Sequence, residues 1–157
     1  MKISETRPIA GKDFVGILRA VVDKQADFRF QAKGFSMAPF IKDGDVLTIS
    51  PLSGASARIA DVLAVINPQT ERLTVHRVVA RKKGSVLLQG DNCYCCDGFI
   101  PKENILGRLI KVERQGRRVF LGFGPERYMV VLFSRMRLLY PLLSLARRMF
   151  GRRRKLR

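Results

Sequence analysis

Between Phe28 and Arg114 the chain breaks into short apolar runs rich in Val and Ile, each bounded by turn-forming residues. The runs are Val46–Ile49, Val62–Ile66, Val75–Val79, Val86–Leu88 and Ile105–Ile110. Lys42-Asp43-Gly44-Asp45, Asn67-Pro68-Gln69-Thr70, Lys82-Lys83-Gly84 and Asp97-Gly98 punctuate them. β-Branched residues lose little in a strand and more in a helix, so this segment predicts a compact, mainly β domain. Val119–Phe123 is a candidate closing strand. There is no internal repeat and no low-complexity linker before the C-terminal tail.

Helical patterns flank this region. Phe14, Ile17, Leu18, Val21 and Val22 recur at helical spacing within Lys12–Gln25, a stretch too short and too charged to cross a bilayer. After Gly124-Pro125, the segment Glu126–Tyr140 places Tyr128, Met129, Leu132, Phe133, Met136, Leu139 and Tyr140 on one face. Val130, Val131 and Leu138 intrude on the other face, among Glu126, Arg127, Ser134, Arg135 and Arg137. Pro141 can open a second short helix ending at Phe150, because a first helical position has no N–H to lose. The expected organisation is an N-terminal helical segment over 1–27, a β domain over 28–124 and a basic amphipathic tail over 125–157.

Charge follows the same division. The whole chain carries a formal +17, but residues 1–110 hold 16 basic and 11 acidic side chains, a net +5. Residues 111–157 hold 14 basic and 2 acidic, a net +12. A hydrophobic content of 46% excludes a wholly unfolded basic protein, so the excess positive charge belongs to a tail attached to a real core. Across Tyr128–Leu145, nine Leu, Val and Phe residues favour insertion by roughly 3–5 kcal/mol, while Arg135 and Arg137 oppose it by about 5–7 kcal/mol. The balance favours an interfacial helix on an anionic lipid surface, engaged through residues 126–157, over a span. Packing of these helices, as a hairpin, on the β domain or on another subunit is the alternative. The N-terminus lacks the apolar core of a secretory signal, and with the tail the expectation is peripheral association with a membrane's cytoplasmic face.

Cys93, Cys95 and Cys96 lie within four residues, where a mutual disulfide is strained, so they read as reduced loop thiols. No second cysteine pair exists and the only histidine is 17 residues upstream, so neither a metal nor a cofactor is expected.

The chemistry-bearing residues are few. Lys33-Gly34-Phe35-Ser36-Met37-Ala38-Pro39 suits a tight turn presenting the Ser36 hydroxyl, but Ala38 stands where a G-x-S-x-G elbow needs glycine, which argues against an α/β-hydrolase. His76 interrupts the strand Leu73-Thr74-Val75-His76-Arg77-Val78-Val79. Asp91, in Gln89-Gly90-Asp91-Asn92, and Asp97 follow in a turn-rich loop, where capping is their ordinary use. Ser, His and Asp within one small domain make a triad candidate by composition alone.

The local strings make that candidate more specific. Gly34-x-Ser36-Met37-x-Pro39 followed by Gly44-Asp45-Val46 resembles the nucleophile box of type I signal peptidases and of the related LexA-type self-cleaving repressors. Asp61-Val62-Leu63-Ala64-Val65, His76-Arg77-Val78-Val79, Gly90-Asp91-Asn92 and Asn104-Ile105-Leu106-Gly107-Arg108 follow in that family's order, and the resemblance covers about Phe30 to Arg114. His76 stands where bacterial signal peptidases carry a lysine, which resembles the endoplasmic-reticulum-type branch with its Ser, His and Asp. The resemblance implies coiled antiparallel β-sheets with the active site on a groove. It also implies Ser36 as nucleophile, His76 as general base, Asp97 as the carboxylate orienting the imidazole, and Asp91 as organiser of the loop.

The implied activity is that of a serine endopeptidase of signal-peptidase type, cleaving a protein precursor that adds to the groove as an extended strand. Because Lys12–Gln25 is not a membrane anchor, the expected role is dedicated processing of one or a few substrates. The competing expectation is a LexA-type self-cleaving or non-catalytic regulatory module, with Ala10-Gly11 as an internal scissile bond. No segment before residue 30 is long enough for a helix-turn-helix domain. Nucleic-acid binding is not expected, because Tyr128, Phe133, Tyr140 and Phe150 fall largely on the apolar helical face and do not interleave with the arginines.

Overall fold

A computed structural model describes residues 11–52 and 56–136, together with positions 138, 141, 142 and 145. The β reading holds. Strands β1 (Phe28–Gln31), β2 (Val46–Ser50), β3 (Val62–Ile66), β4 (Leu73–Lys82), β5 (Ser85–Gln89), β6 (Cys96–Pro101), β7 (Ile105–Arg114) and β8 (Arg117–Arg118) form one eight-stranded sheet. The order is β1-β2-β7-β3-β4-β5-β6, with β8 paired to β7, and every pairing is antiparallel. Irregularities in the β2–β7, β3–β7, β4–β5 and β5–β6 ladders add local twist to the sheet.

β3 is buried along its whole length, as expected of a central strand whose sequence is a continuous apolar run. It joins two layers of core. On one side Leu63 and Val65 pack with Val78, Leu88 and Ile100; on the other Ala64 and Ile66 pack with Leu18, Phe28 and Ile49. Leu18 comes from helix α1 (Gly11–Asp23), so the N-terminal helix closes one face of the β core, with Val15, Val21 and Val22 packed alongside. Burying each such side chain stabilises the fold by about 1.5–3 kcal/mol. Gly107 on β7 allows the close crossing of β2, since a Cβ there would lie 2.4 Å from the Ser50 carbonyl oxygen.

Three expectations need correction. Asp97-Gly98 is not a turn between strands: both residues lie inside β6, with Gly98 at φ +83°. Val119–Phe123 is not a strand: the last pairing is Glu113 with Arg118, and the chain then turns through Gly122, whose φ is +89°. A Cβ at Gly122 would meet the Phe40 ring at 2.3 Å, so this turn is shaped by close approach to the ring. The helix expected over Glu126–Tyr140 forms as α2 over Arg127–Arg135. It packs on the β domain through Val130, Val131 and Ser134, the side the wheel treats as polar. Tyr128, Met129, Leu132 and Met136 consequently face solvent. The short helix expected after Pro141 lies mostly outside the described residues, as do Ala10 and the basic end 146–157.

An ion pair between buried Asp45 and half-buried Arg114 braces the segment between β1 and β2. The Asp45 carboxylate accepts from Arg114 Nε at 2.8 Å and from its terminal nitrogen at 2.7 Å, and takes the Lys42 N–H at 2.8 Å. Burial pushes the Asp45 carboxyl up, but hydrogen bonding and charge from Arg114, with the Lys42 N–H, outweigh this and hold it below its ordinary 3.8. A lowered folded-state pKa adds stability above the unfolded value, and that stability is lost as pH falls through the folded value. In urea titrations taken from about pH 6 to about pH 2, the stability gap between wild type and Asp45→Asn is therefore constant at first and shrinks only below about pH 4. A gap independent of pH would show that Arg114 does not favour the ionised carboxylate.

Candidate active site

The site is assembled from three distant parts of the chain. Ser36 sits on the turn after β1, half-buried, between solvent-facing Phe35 and the buried Met37. Gly34 begins this turn with φ +92° and donates its N–H to Asp43 Oδ1 at 2.8 Å, which ties the turn to the Lys42–Asp45 bend. Gly44, at φ +85°, closes that bend by donating to the Ala32 carbonyl at 2.9 Å. Both glycines occupy the left-handed region, where a side chain is strained.

Strand register puts His76 and Asp97 on one face of the sheet, on the two strands that flank β5. Arg77 on β4 aligns with Gln89 on β5, and Gln89 with Cys96 on β6. Side chains alternate along a strand, so His76 and Asp97, each one residue off that row, emerge together on the opposite face. Asp97 Oδ2 makes a close contact with His76 Nδ1. His76 Nε2 lies 2.9 Å from Ser36 Oγ. With Nδ1–H donated to the carboxylate, the Nε2 lone pair is left to accept the serine proton. The imidazole is only 9% exposed on its side chain, so the exchange is sheltered from bulk water. The Ser36 N–H donates no hydrogen bond among the described residues.

Asp91 lies off the Ser36–His76–Asp97 line and holds the loop. Its carboxylate does not reach the imidazole; it accepts from Arg77 Nε at 2.8 Å and from an Arg77 terminal nitrogen at 2.7 Å, and both side chains are 1% exposed. The pair anchors the loop that carries the site. The Asp91 N–H points at Met37 Sδ, 3.4 Å away, and the next residue grips the nucleophile turn twice. Asn92 N–H donates to the Ser36 carbonyl at 2.7 Å, and Asn92 Nδ2 donates to the Phe35 carbonyl at 3.0 Å. From the other side Gln89 Nε2 donates to the Cys93 carbonyl at 2.9 Å. Arg77 and Asn92 were not singled out as functional from the sequence. The available signal was Arg77 itself, an arginine inside a Val-rich strand, which must find a counter-ion when buried.

Gly90 lets the loop pass beneath the reacting atoms. A Cβ there would stand 2.7 Å from the Ser36 carbonyl oxygen and 3.0 Å from His76 Nε2. Gly90→Ala should therefore displace the Ser36–His76 pair while leaving the sheet folded. The expected result is a loss of roughly 100-fold in kcat on any peptide turned over by wild type, with an unchanged circular-dichroism spectrum. Full activity in the variant would mean that the loop yields without moving the reacting groups.

Cys93, Cys95 and Cys96 form no disulfide among the described residues. Burial, with the nearby charges of Asp97, Asp91 and Cys95, pushes the Cys93 thiol up, so it stays protonated and is a poor nucleophile beside Ser36. Among the described residues no group of His, Cys, Asp and Glu has the arrangement of a metal site.

A hydroxyl, an imidazole and a carboxylate in this order, on an antiparallel β scaffold, define a serine-peptidase type of site. The sequence agrees: residues 3–110 match Peptidase S24-like, and the chain belongs to that family. No curated protein matches the chain. Membership in that family, which lies within the LexA and signal-peptidase superfamily, accounts for the mainly β fold and makes the protein a serine peptidase in general terms.

Proposed function

We propose that the protein is a serine endopeptidase of signal-peptidase type, with Ser36 as nucleophile, His76 as general base and Asp97 as the group that orients and stabilises the imidazolium. The observation that carries this reading is the 2.9 Å contact between Ser36 Oγ and His76 Nε2, with Nδ1 held on Asp97. In the first half-reaction Ser36 Oγ attacks a peptide carbonyl, and its proton passes to His76 Nε2. The developing oxyanion is held by the Ser36 N–H. His76 then returns the proton to the leaving amine, and an ester to Ser36 remains. Water, deprotonated by His76, hydrolyses this ester and restores the hydroxyl. The substrate is a protein precursor bound in extended form, with small side chains next to the cut bond.

Purified full-length protein should cleave a peptide with small residues at its cleavage site, and Ser36→Ala and His76→Ala should not. Equal turnover by all three proteins would end the proposal. Membership in the S24-like family also supports self-cleavage, for which Ala10-Gly11 is the candidate bond. Mass spectrometry of aged wild-type protein separates the two readings: time-dependent loss of the first ten residues, abolished by Ser36→Ala, favours self-cleavage, and an intact chain favours action on other proteins.

A further inference from the structure

One side of the protein combines exposed apolar surface with concentrated positive charge, and the proposed peptidase chemistry uses neither. A cleft of about 310 Å³ opens between β7, β8 and the start of α2. Arg58, Arg77, Arg108, Lys111, Arg118 and Arg127 line it, against a single lining carboxylate, Asp61, and Arg77 alone among them is fully committed, to Asp91. Asp61 is 1% exposed and binds Arg108 and Arg127 only at 3.5 and 3.6 Å, so both arginines keep donors to offer. Lys111 is held by Glu113 at 2.9 Å, whereas Arg58 and Arg118 form no ion pair among the described residues.

Phe120 belongs to both the cleft and the apolar rim beside it. It is 68% exposed and Leu121 next to it is 66% exposed. The rim continues along the outer face of α2 through Tyr128, Met129, Leu132 and Met136, each about half exposed. Arg118 stacks over the Phe120 ring at 5.2 Å and Arg127 over the Tyr128 ring at 5.1 Å. A helix that turns its more apolar side outward gains nothing from water, and stacked arginine–aromatic pairs beside it match the boundary between headgroups and acyl chains.

We propose that this cleft and its rim dock the protein on an anionic phospholipid bilayer, the cleft receiving a headgroup phosphate and the rim entering the acyl boundary. Arginine forks bind phosphate oxygens in pairs, and the cleft's cations other than the Asp91-bound Arg77 surround a space of headgroup size. A nucleic acid would use the cations and leave the apolar rim in water; a bilayer uses both. The net +12 over residues 111–157 gives the chain a longer-range attraction to anionic lipid.

The test is flotation of the full chain with vesicles of phosphatidylcholine, with and without phosphatidylglycerol. Arg58→Gln/Arg118→Gln removes two cleft cations, and Lys82→Gln/Lys83→Gln removes the same charge from the β4–β5 turn. The cleft variant should partition roughly 30-fold less onto phosphatidylglycerol vesicles, while the turn variant stays within about threefold of wild type. Phe120→Ser/Leu121→Ser should lower partitioning by at least about tenfold with no change in charge, a readout that stands if the cleft variant folds poorly. Equal losses from the two charge pairs would overturn the proposal, because only total charge would then matter. So would equal binding to pure phosphatidylcholine, displacement from vesicles by millimolar inorganic phosphate, or a larger effect of the cleft variant on duplex-DNA retention than on flotation.

Discussion

Asp97→Asn should leave the protein folded and lower its peptidase kcat by about 10⁴-fold, an effect comparable to that of a tautomer error at other serine-peptidase triads. The reason lies at two atoms. The Asp97 carboxylate only accepts, so it fixes the imidazole proton on Nδ1 and leaves Nε2 free for the Ser36 hydroxyl, 2.9 Å away. An asparagine amide can donate to Nδ1, which moves the ring proton to Nε2 and turns the base away from its task. It also removes the negative charge opposite the imidazolium formed during attack. Ser36→Ala and His76→Ala should each cost at least as much, and combining either with Asp97→Asn should add little, because the three groups act as one unit. Steady-state kinetics on a cleavable peptide provides the measurement. A loss below about tenfold for Asp97→Asn would mean that another group orients His76.

The second large effect is on stability. Arg77 is fully buried, with its guanidinium on both Asp91 oxygens, on the Ala60 carbonyl at 3.2 Å, and between the rings of Phe40 and Phe123 at 5.7 and 5.9 Å. Removing either partner strands a charge in the core. Arg77→Leu and Asp91→Leu should each lower unfolding free energy by about 3–5 kcal/mol, read from urea midpoints. The double variant should recover much of that loss, since no unpaired charge remains. Losses that simply add would show that the two side chains are not coupled. Asp91→Asn also tests the site assignment: it should weaken the fold and loosen the Asn92 clamp on Ser36, yet cost far less kcat than Asp97→Asn at temperatures where both are folded. The reverse order would exchange the roles of the two aspartates.

How much could be read in advance varies with the length scale of each feature. Strands β2, β3, β4, β5 and β7 were legible because Val- and Ile-rich runs and the turns at Asp43-Gly44, Asn67-Pro68 and Lys83-Gly84 are local signals, whereas β1, β6 and β8 carry no such run. The candidate residues Ser36, His76 and Asp97 were legible as motifs, and the structure brings all three together. Val119–Phe123 misled because apolar content alone does not supply a pairing partner, and the ladder ends at Arg118. The Arg77–Asp91 pair was overlooked because its members lie 14 residues apart on different elements, and a charge inside an apolar strand announces a need without naming what meets it.

Apolar periodicity and turn chemistry act within a few residues, so the chain's composition along its length was enough to set the β domain, the flanking helices and the polar groups available for catalysis. The choice between two aspartates six residues apart was made by packing. β4, β5 and β6 share a register that carries His76 and Asp97 to one face of the sheet and Arg77 to the other. The same holds for α2, where a helical wheel identifies two faces but their orientation depends on the surface beneath. Val130 and Val131 fit against Phe40, Ala60 and Val79, and the broader apolar face was left toward solvent. Long-range register and shape complementarity settle such questions, and neither is encoded in the spacing of neighbouring residues.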